Sequence, residues 1–368
     1  MWDLLQLILK KAIEFGASDI HIKSGSPPVI RAKKRLIKLS DFPVVEDKMM
    51  ELFVKEVLEK NRRKLAEFEE FGETDTSYSL PGVARFRVNV YKQRNTFGLA
   101  FRVVPFDVPP FERLNLPQVM RKVIMENTKG LVLVTGPTGS GKSTTLAALI
   151  NIINKTRDSV IVTIEDPIEY LFRDERSFIV QREIGIDTSS FVRGLRAALR
   201  EDPDVIMVGE IRDSETAQIC LQAAETGHLV FSTLHTLDAK ETINRLIGMF
   251  NLEVREQIRI QLAETLIAIF SQRLLPKADG SGVIPAVEVL INTAAIKEAI
   301  LDPTKFDEIP TLLEKGRSVY GTQTFDQHLE ELYRKGLIDY TTALLFASKP
   351  GDLELKLKGI SSGTRELF

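Results

Sequence analysis

Apolar positions recur at helical spacing through residues 3–15, where Leu4, Leu5, Ile8, Leu9, Ala12 and Ile13 share one face and Gly16 supplies a stop. An amphipathic helix is therefore predicted to open the chain. Short alternating runs follow at Asp19–Lys23, Val29–Arg31, Arg85–Tyr91 and Gly98–Val103, with a helix around Lys48–Phe71, which together predict a small α+β domain over residues 1–104. The segment Val104-Pro105-Phe106-Asp107-Val108-Pro109-Pro110 is stiff and poor in backbone donors, so a linker is placed at 105–115. Beyond it, Gly130–Thr135, Val160–Ile164, Asp204–Val208 and His228–Thr233 are brief, nearly continuous apolar runs separated by helical stretches, the pattern of buried strands in a parallel sheet. An α/β domain is expected over 116–368. Its tail turns helical from about Ala294, most clearly at Phe325–Lys335 and Thr341–Ala347, and Gly359–Phe368 is expected to fray.

Chemistry enters at the end of the first of those apolar runs. Gly136-Pro137-Thr138-Gly139-Ser140-Gly141-Lys142-Ser143 follows a strand and leads, through Thr144, into an apolar helix, the context a phosphate-binding loop requires. Glycines let backbone N–H groups converge on phosphate oxygens, and the helix N-terminus adds a favourable dipole. Lys142 is expected to reach the β- and γ-phosphates of ATP and the Ser143 hydroxyl to ligate Mg²⁺.

The carboxylates are distributed to match. Glu165 and Asp166 stand just past one predicted strand, and Glu210 just past another, at the strand ends that face a ligand in an open parallel sheet. Either of the first two could activate water, and Glu210 sits where a second acidic motif supports Mg²⁺, although Gly209 replaces the usual preceding aspartate. Asp204, at the opposite end of its strand, is read as structural. His228 and His235 flank an apolar run at a spacing that fits no zinc pattern; His235, at the C-terminal end, could donate to a γ-phosphate or be a satisfied core histidine, and His228 is the weaker case. Arg85, Arg87, Arg94 and Arg102 crowd two neighbouring strands, and Arg87 and Arg102 would be neighbours in a hairpin, either as arginine fingers or as an exposed face. Arg196 and Arg200 form a second candidate pair at i and i+4.

Composition narrows the alternatives. With 368 residues, 43% hydrophobic and 27% charged, the chain can bury two cores, and its net charge of −2 argues against wholesale neutralisation of nucleic acid. The basic run Arg31–Lys38 alternates with apolar residues and is read as a solvated strand or hairpin face in preference to a binding site. Cys220 is the single cysteine, which excludes an internal disulfide and a four-cysteine zinc site, and its apolar setting predicts a buried helix position. No apolar run reaches bilayer length, and Met1-Trp2-Asp3-Leu4 lacks the plan of a secretory signal, so any membrane association is expected to be peripheral.

The chain resembles the PilT/PilU group of type IV pilus retraction ATPases, within the secretion ATPase superfamily. The resemblance is carried by Ala17-Ser18-Asp19-Ile20-His21-Ile22, Gly136 to Thr144, Thr163-Ile164-Glu165-Asp166-Pro167-Ile168-Glu169-Tyr170, Arg200-Glu201-Asp202-Pro203-Asp204, Gly209-Glu210-Ile211-Arg212-Asp213, Thr226-Gly227-His228 through His235, and Gln272-Arg273-Leu274. It implies a PAS-like first domain, a RecA-like second domain with a helical tail, and a homohexamer with ATP between domains. It further implies Glu165 as the glutamate that activates water, Glu210 near Mg²⁺, Arg87 and Arg102 as arginine fingers, and His228 and His235 as a histidine box. The expected partners are an inner-membrane platform protein, indirectly pilin, and a paralogous ATPase, at the cytoplasmic face of the inner membrane. Where the group carries Ala-Ile-Arg-Asn-Leu-Ile-Arg-Glu, this chain has Ala295-Ile296-Lys297-Glu298-Ala299-Ile300-Leu301-Asp302, losing both arginines. An accessory retraction ATPase of the PilU kind, an assembly or secretion ATPase, a DNA motor and a slow nucleotide switch are the competing readings.

Overall fold

The computed structural model describes residues 3–59, 61–105 and 108–359, and its backbone contacts divide the chain into two compact units. Met1 and Trp2 of the predicted chain start, Phe106 and Asp107 of the predicted linker, and nearly all of the predicted frayed end lie outside the described residues. The smaller unit takes Met1–Val108 together with two later segments, Glu165–Phe172 and Gln181–Gly194; the rest forms the larger unit.

The smaller unit is built on six antiparallel strands: β1 (Ala17–Lys23), β2 (Val29–Ala32), β3 (Arg35–Lys38), β4 (Glu73–Leu80), β5 (Ala84–Gln93) and β6 (Thr96–Val104), in the order β3-β2-β1-β6-β5-β4. The opening helix spans Leu4–Glu14, with Asp3 capping it by accepting from the Gln6 N–H, and it buries Leu5, Ile8, Leu9 and Ala12. These join Ile20, Ile22, Phe86, Val88, Leu99 and Phe101 in one core. The single helix expected around Lys48–Phe71 is two, Asp47–Leu58 and Arg62–Phe71. Asn61 starts the second by accepting from the Lys64 N–H at 3.1 Å, a capping role that competes with continuing the first helix. The basic run lies in the β2–β3 hairpin, turned by Lys33 and Lys34 at positive φ, with β3 an exposed edge where Arg35 and Lys38 flank Leu36 and Ile37, charges that discourage further strand pairing.

In the larger unit the sheet also takes strands that the hydrophobic pattern left unassigned. The strands β7 (Gly130–Thr135), β8 (Val160–Glu165), β9 (Phe178–Glu183), β10 (Val205–Val208), β11 (Leu229–Leu234), β12 (Leu266–Pro276) and β13 (Val283–Ile291) are ordered β13-β12-β7-β11-β10-β8-β9. β7, β11, β10, β8 and β12 run parallel, and β13 pairs antiparallel with β12. Helices flank these strands, and the tail from Ala294 is helical as expected. Cys220 lies fully buried on the helix Ser214–Glu225, where burial pushes its thiol up to about 12. Among the described residues no helix is long and apolar enough to cross a membrane.

Glu288, on β13, carries a testable consequence of this packing. Burial pushes its carboxyl up to about 7, although it accepts from the Ala239 N–H at 2.8 Å. Folded chains therefore keep this proton to higher pH than unfolded chains do. The site favours folding below the ordinary value of 4.5, and that contribution is lost as pH rises toward 7. Glu288→Gln keeps an acceptor for Ala239 and removes the buried charge. It is expected to raise the melting temperature by a few degrees at pH 8 and by less at pH 5. Melting curves at the two pH values check this; equal shifts at both would contradict it.

Candidate active site

In the larger unit the parallel register lines up one edge of the sheet. Thr135 pairs with Leu234 and with Ser271, so Gly136 and His235 leave their strands at one level, and Gln272 lies at that same level on β12, which runs on to Pro276. The phosphate loop starts there. Gly136, Gly139 and Gly141 have φ of 143°, 80° and 88°, conformations that side-chain-bearing residues rarely adopt. Pro137, Thr138 and Gly139 form an exposed tip, while Ser140 and Lys142 are buried. The helix Lys142–Thr156 has Gly141 at its N-cap and no side-chain cap, which leaves the first-turn N–H groups for an anion. The Lys142 ammonium donates to the Gly136 carbonyl at 2.8 Å and the Pro137 carbonyl at 3.1 Å. Ser143 and Thr144 stand half-buried in the first turn.

Glu210 follows β10. Its carboxylate lies 2.5 Å from the Arg212 guanidinium and 3.6 Å from Nε2 of His235, so the second acidic position and the strand-end histidine are joined. The Thr233 hydroxyl donates to the Gly209 carbonyl at 2.7 Å and the Ser232 hydroxyl to the Val208 carbonyl at 2.8 Å, which pins the two strand ends together. Asp204, at the other end of β10, accepts from the Val160 N–H at 2.8 Å, a structural contact.

His228 is separated from this edge. It precedes β11 by one residue, and the length of β11 puts it roughly 23 Å from His235. Its Nδ1 contacts the Ala223 carbonyl at 2.9 Å, and it stands at the opposite end of β11 from His235. Arg196 and Arg200 do not share a helix face: the helix Phe191–Ala198 ends before Arg200, whose guanidinium donates to the Arg196 carbonyl, while Arg196 pairs with Glu215 at 2.8 Å.

In the smaller unit, β5 and β6 form the expected hairpin, and Arg87 pairs with Arg102 across it. Both line a cavity of about 590 Å³ with Asp19, His21, Asp166 and Glu183. Arg102 contacts Asp19 at 2.9 Å and Arg87 contacts Glu169 at 3.4 Å. Burial alone would raise the Asp19 carboxyl, but its hydrogen bonds with Arg102 and Ser18 hold it below the usual carboxylate range. Both arginines are well exposed, and exposed pairs of this kind are worth only about 0–1 kcal/mol, so they can exchange partners cheaply. Arg94 instead sits at the hairpin tip with φ of 46°, seven residues along β5 from Arg87, which separates it from that pair. Arg85, on the same face of β5 as Arg87, pairs with buried Glu183 at 2.8 Å; the same carboxylate oxygen accepts from the Ile168 N–H.

Glu165 ends β8 and is only 6% exposed. Its two carboxylate oxygens accept from Nε2 of Gln181 at 3.2 Å and from the Glu169 N–H at 3.3 Å. Gln181 also donates to the Tyr170 carbonyl and accepts from the Phe172 N–H, so its amide is fixed on both sides. Gln181, Arg212 and Gln272 were not assigned roles from the sequence. A polar residue interrupting an otherwise apolar strand, as Gln272 does within β12, is the available signal.

Among the described residues no cluster of three or more carboxylates, histidines or cysteines could hold a metal alone. The donors present suit Mg²⁺ in a different way, since that ion keeps several waters and takes few protein ligands beside phosphate oxygens.

Residues 112–342 match the family model for type II/IV secretion system proteins. The chain is 43% identical to the type IV pilus retraction ATPase PilT of Pseudomonas aeruginosa, over 93% of this chain and 97% of that one. It is 37% identical to the type IV pilus ATPase PilU of the same organism, over 95% of this chain and 90% of that one. A crystal structure of the pilus retraction motor PilT with bound ADP superposes with a TM-score of 0.83 at 44% identity, covering 96% of this chain and 99% of that one.

Proposed function

We propose, from the premise that this chain belongs to the type II/IV secretion system protein family and to its PilT/PilU group, that it is an ATP-hydrolysing motor that powers type IV pilus retraction. The observation that carries the enzymatic half is the alignment of Gly136, His235 and Gln272 at one level across the sheet, with an uncapped helix N-terminus and Lys142 beside it. Backbone N–H groups of residues 137–144 and the Lys142 ammonium bind the phosphates of ATP. The Ser143 hydroxyl and, through water, Glu210 would hold Mg²⁺, which when bound neutralises charge on the phosphate oxygens. Glu165 takes the proton of the attacking water, with Gln181 and the Glu169 N–H fixing its carboxylate. Arg87 and Arg102 act as arginine fingers, leaving Glu169 and Asp19 for the charge that develops on the transferring phosphoryl group. His235, paired with Glu210, responds to loss of the γ-phosphate and passes the change to β10 and β11.

The working form is a homohexamer at the cytoplasmic face of the inner membrane, engaged with the pilus platform protein and through it with pilin. A PilU-like accessory role is the second reading, favoured by Lys297 and Leu301 at the positions of the two missing arginines; in the structure Lys297 is paired with Glu264 at 2.7 Å. ATP turnover measured against protein concentration, with mass determined alongside, tests the ring. Turnover should appear with the hexamer, and mixing in Arg87→Ala should depress it more than in proportion to the fraction added. Concentration-independent turnover by a monomer would refute the ring motor.

A further inference from the structure

We propose that Gln272 is a positioning residue of the phosphate loop, a buried strut whose side-chain amide sets the direction of the loop's anion-binding N–H groups. The proposal rests on the nucleotide-site reading and extends it to a residue outside the loop. Gln272 is 1% exposed, at the level where β12 passes β7. One hydrogen bond and two close approaches place it against Ser140, Gly136 and Gly141 of the loop. Its Nε2 donates to the Ser140 carbonyl at 2.6 Å. Its backbone carbonyl fills the space that a Cβ on Gly136 would enter, together with the Ser140 hydroxyl. Its Nε2 also lies 3.0 Å from where a Cβ on Gly141 would stand.

The consequence follows from the planar trans peptide. In the unit that links Ser140 to Gly141, the C=O and the N–H point in opposite directions. An amide that ties the Ser140 carbonyl back toward β12 therefore turns the Gly141 N–H away from β12. Gly141 is the N-cap of the helix Lys142–Thr156, so this sets the first of the N–H groups at its uncapped end. Two of the loop's glycines thus have a local cause: Gly136 and Gly141 lack side chains where Gln272 needs the room. The remaining polar atoms deepen the case. The Gln272 Oε1 and the Ser140 Oγ are both buried without a hydrogen-bond partner, so the amide is held in a position that satisfies its donor at the expense of its acceptor. The neighbouring Ser271 Oγ accepts from the Thr135 hydroxyl at 2.9 Å, which fastens the strut's own strand to the strand that feeds the loop.

The test uses the full chain and Mg-ADP as the probe, with Gln272→Glu as the isosteric variant that replaces the donor by an acceptor. ADP affinity is expected to fall on the order of tenfold or more, the cost of losing one buried donor and opposing a carbonyl. Hydrogen exchange should quicken in the peptide covering 136–144 and stay unchanged in the peptide covering 130–135. Should Gln272→Glu fail to fold, Gln272→Met offers similar length without a donor and is expected to give the same pattern. ADP affinity within twofold of wild type would overturn the strut. Exchange that quickens equally in both peptides would overturn it too, since that marks general loss of packing. A wild-type chain that does not bind ADP would instead refute the nucleotide site itself, and the strut with it.

Discussion

Glu165→Gln is expected to bind ATP and ADP with unchanged affinity and to hydrolyse ATP slower by about 10²- to 10⁴-fold, the range a positioned general base supplies. The substitution is nearly isosteric. Glu165 is only 6% exposed, and its two oxygens accept from Gln181 and from the Glu169 N–H. A glutamine keeps one acceptor oxygen for the Glu169 N–H and sets its own NH₂ against the Gln181 amide, which can turn over to accept only by giving up its donation to Tyr170. Fold and phosphate affinity are therefore retained while the group able to take a proton is gone. Phosphate release under steady state, beside equilibrium binding of ADP, separates the two effects. Retained turnover would remove Glu165 from the base role, and lost nucleotide affinity would make it a structural residue.

The fold was legible wherever one physical signal dominated. The opening helix and the β5–β6 hairpin are carried by apolar periodicity and the four central strands of the larger sheet by continuous apolar runs, and each lies within a few residues of its predicted place. β4 was missed for a reason visible in its side chains: Glu73-Thr74-Asp75-Thr76-Ser77-Tyr78-Ser79-Leu80 is an edge strand with only Thr74 and Leu80 buried, so its pairing is fixed by β5 rather than by its own pattern. β3 is exposed along its whole length and is held the same way by β2. Nor can periodicity show that Glu165–Phe172 and Gln181–Gly194 pack with the first unit, since that is a tertiary choice that a linear boundary cannot express.

The candidate site divides along the same line. Residues fixed by local chain geometry, from Gly136 to Thr144, could be named from their spacing. Residues brought together by strand register were only partly accessible. Glu210 and His235 were each placed by their strand ends, yet their contact depends on β10 lying beside β11. His228 shares with His235 the histidine box that the resemblance implies, and Arg94 follows the strand that carries Arg87. A strand separates its two ends by roughly 3.3 Å per residue, and over seven residues that is enough to remove both from their companions.

Lys142→Ala should abolish turnover, by about 10³-fold or more, and unlike Glu165→Gln it should also weaken ADP binding. Lys142 is 9% exposed, and an ammonium at that depth is costly without partners. The Gly136 and Pro137 carbonyls provide them, at 2.8 and 3.1 Å. The charge is thus already inside the loop before any phosphate arrives, and binding exchanges carbonyl contacts for phosphate contacts instead of drawing a hydrated lysine out of water. Alanine removes the only cation the loop itself carries, so ground-state phosphate loses one partner and the more highly charged transition state loses more. Lys142→Arg should not rescue, because a planar fork cannot occupy the space of a compact ammonium between two carbonyls. Phosphate release and ADP titration on the two variants decide the matter. Turnover within tenfold of wild type for Lys142→Ala would mean that the loop does not hold the reacting phosphates. Loss of binding in this variant, with binding intact in Glu165→Gln, assigns phosphate capture and water activation to different residues of one site.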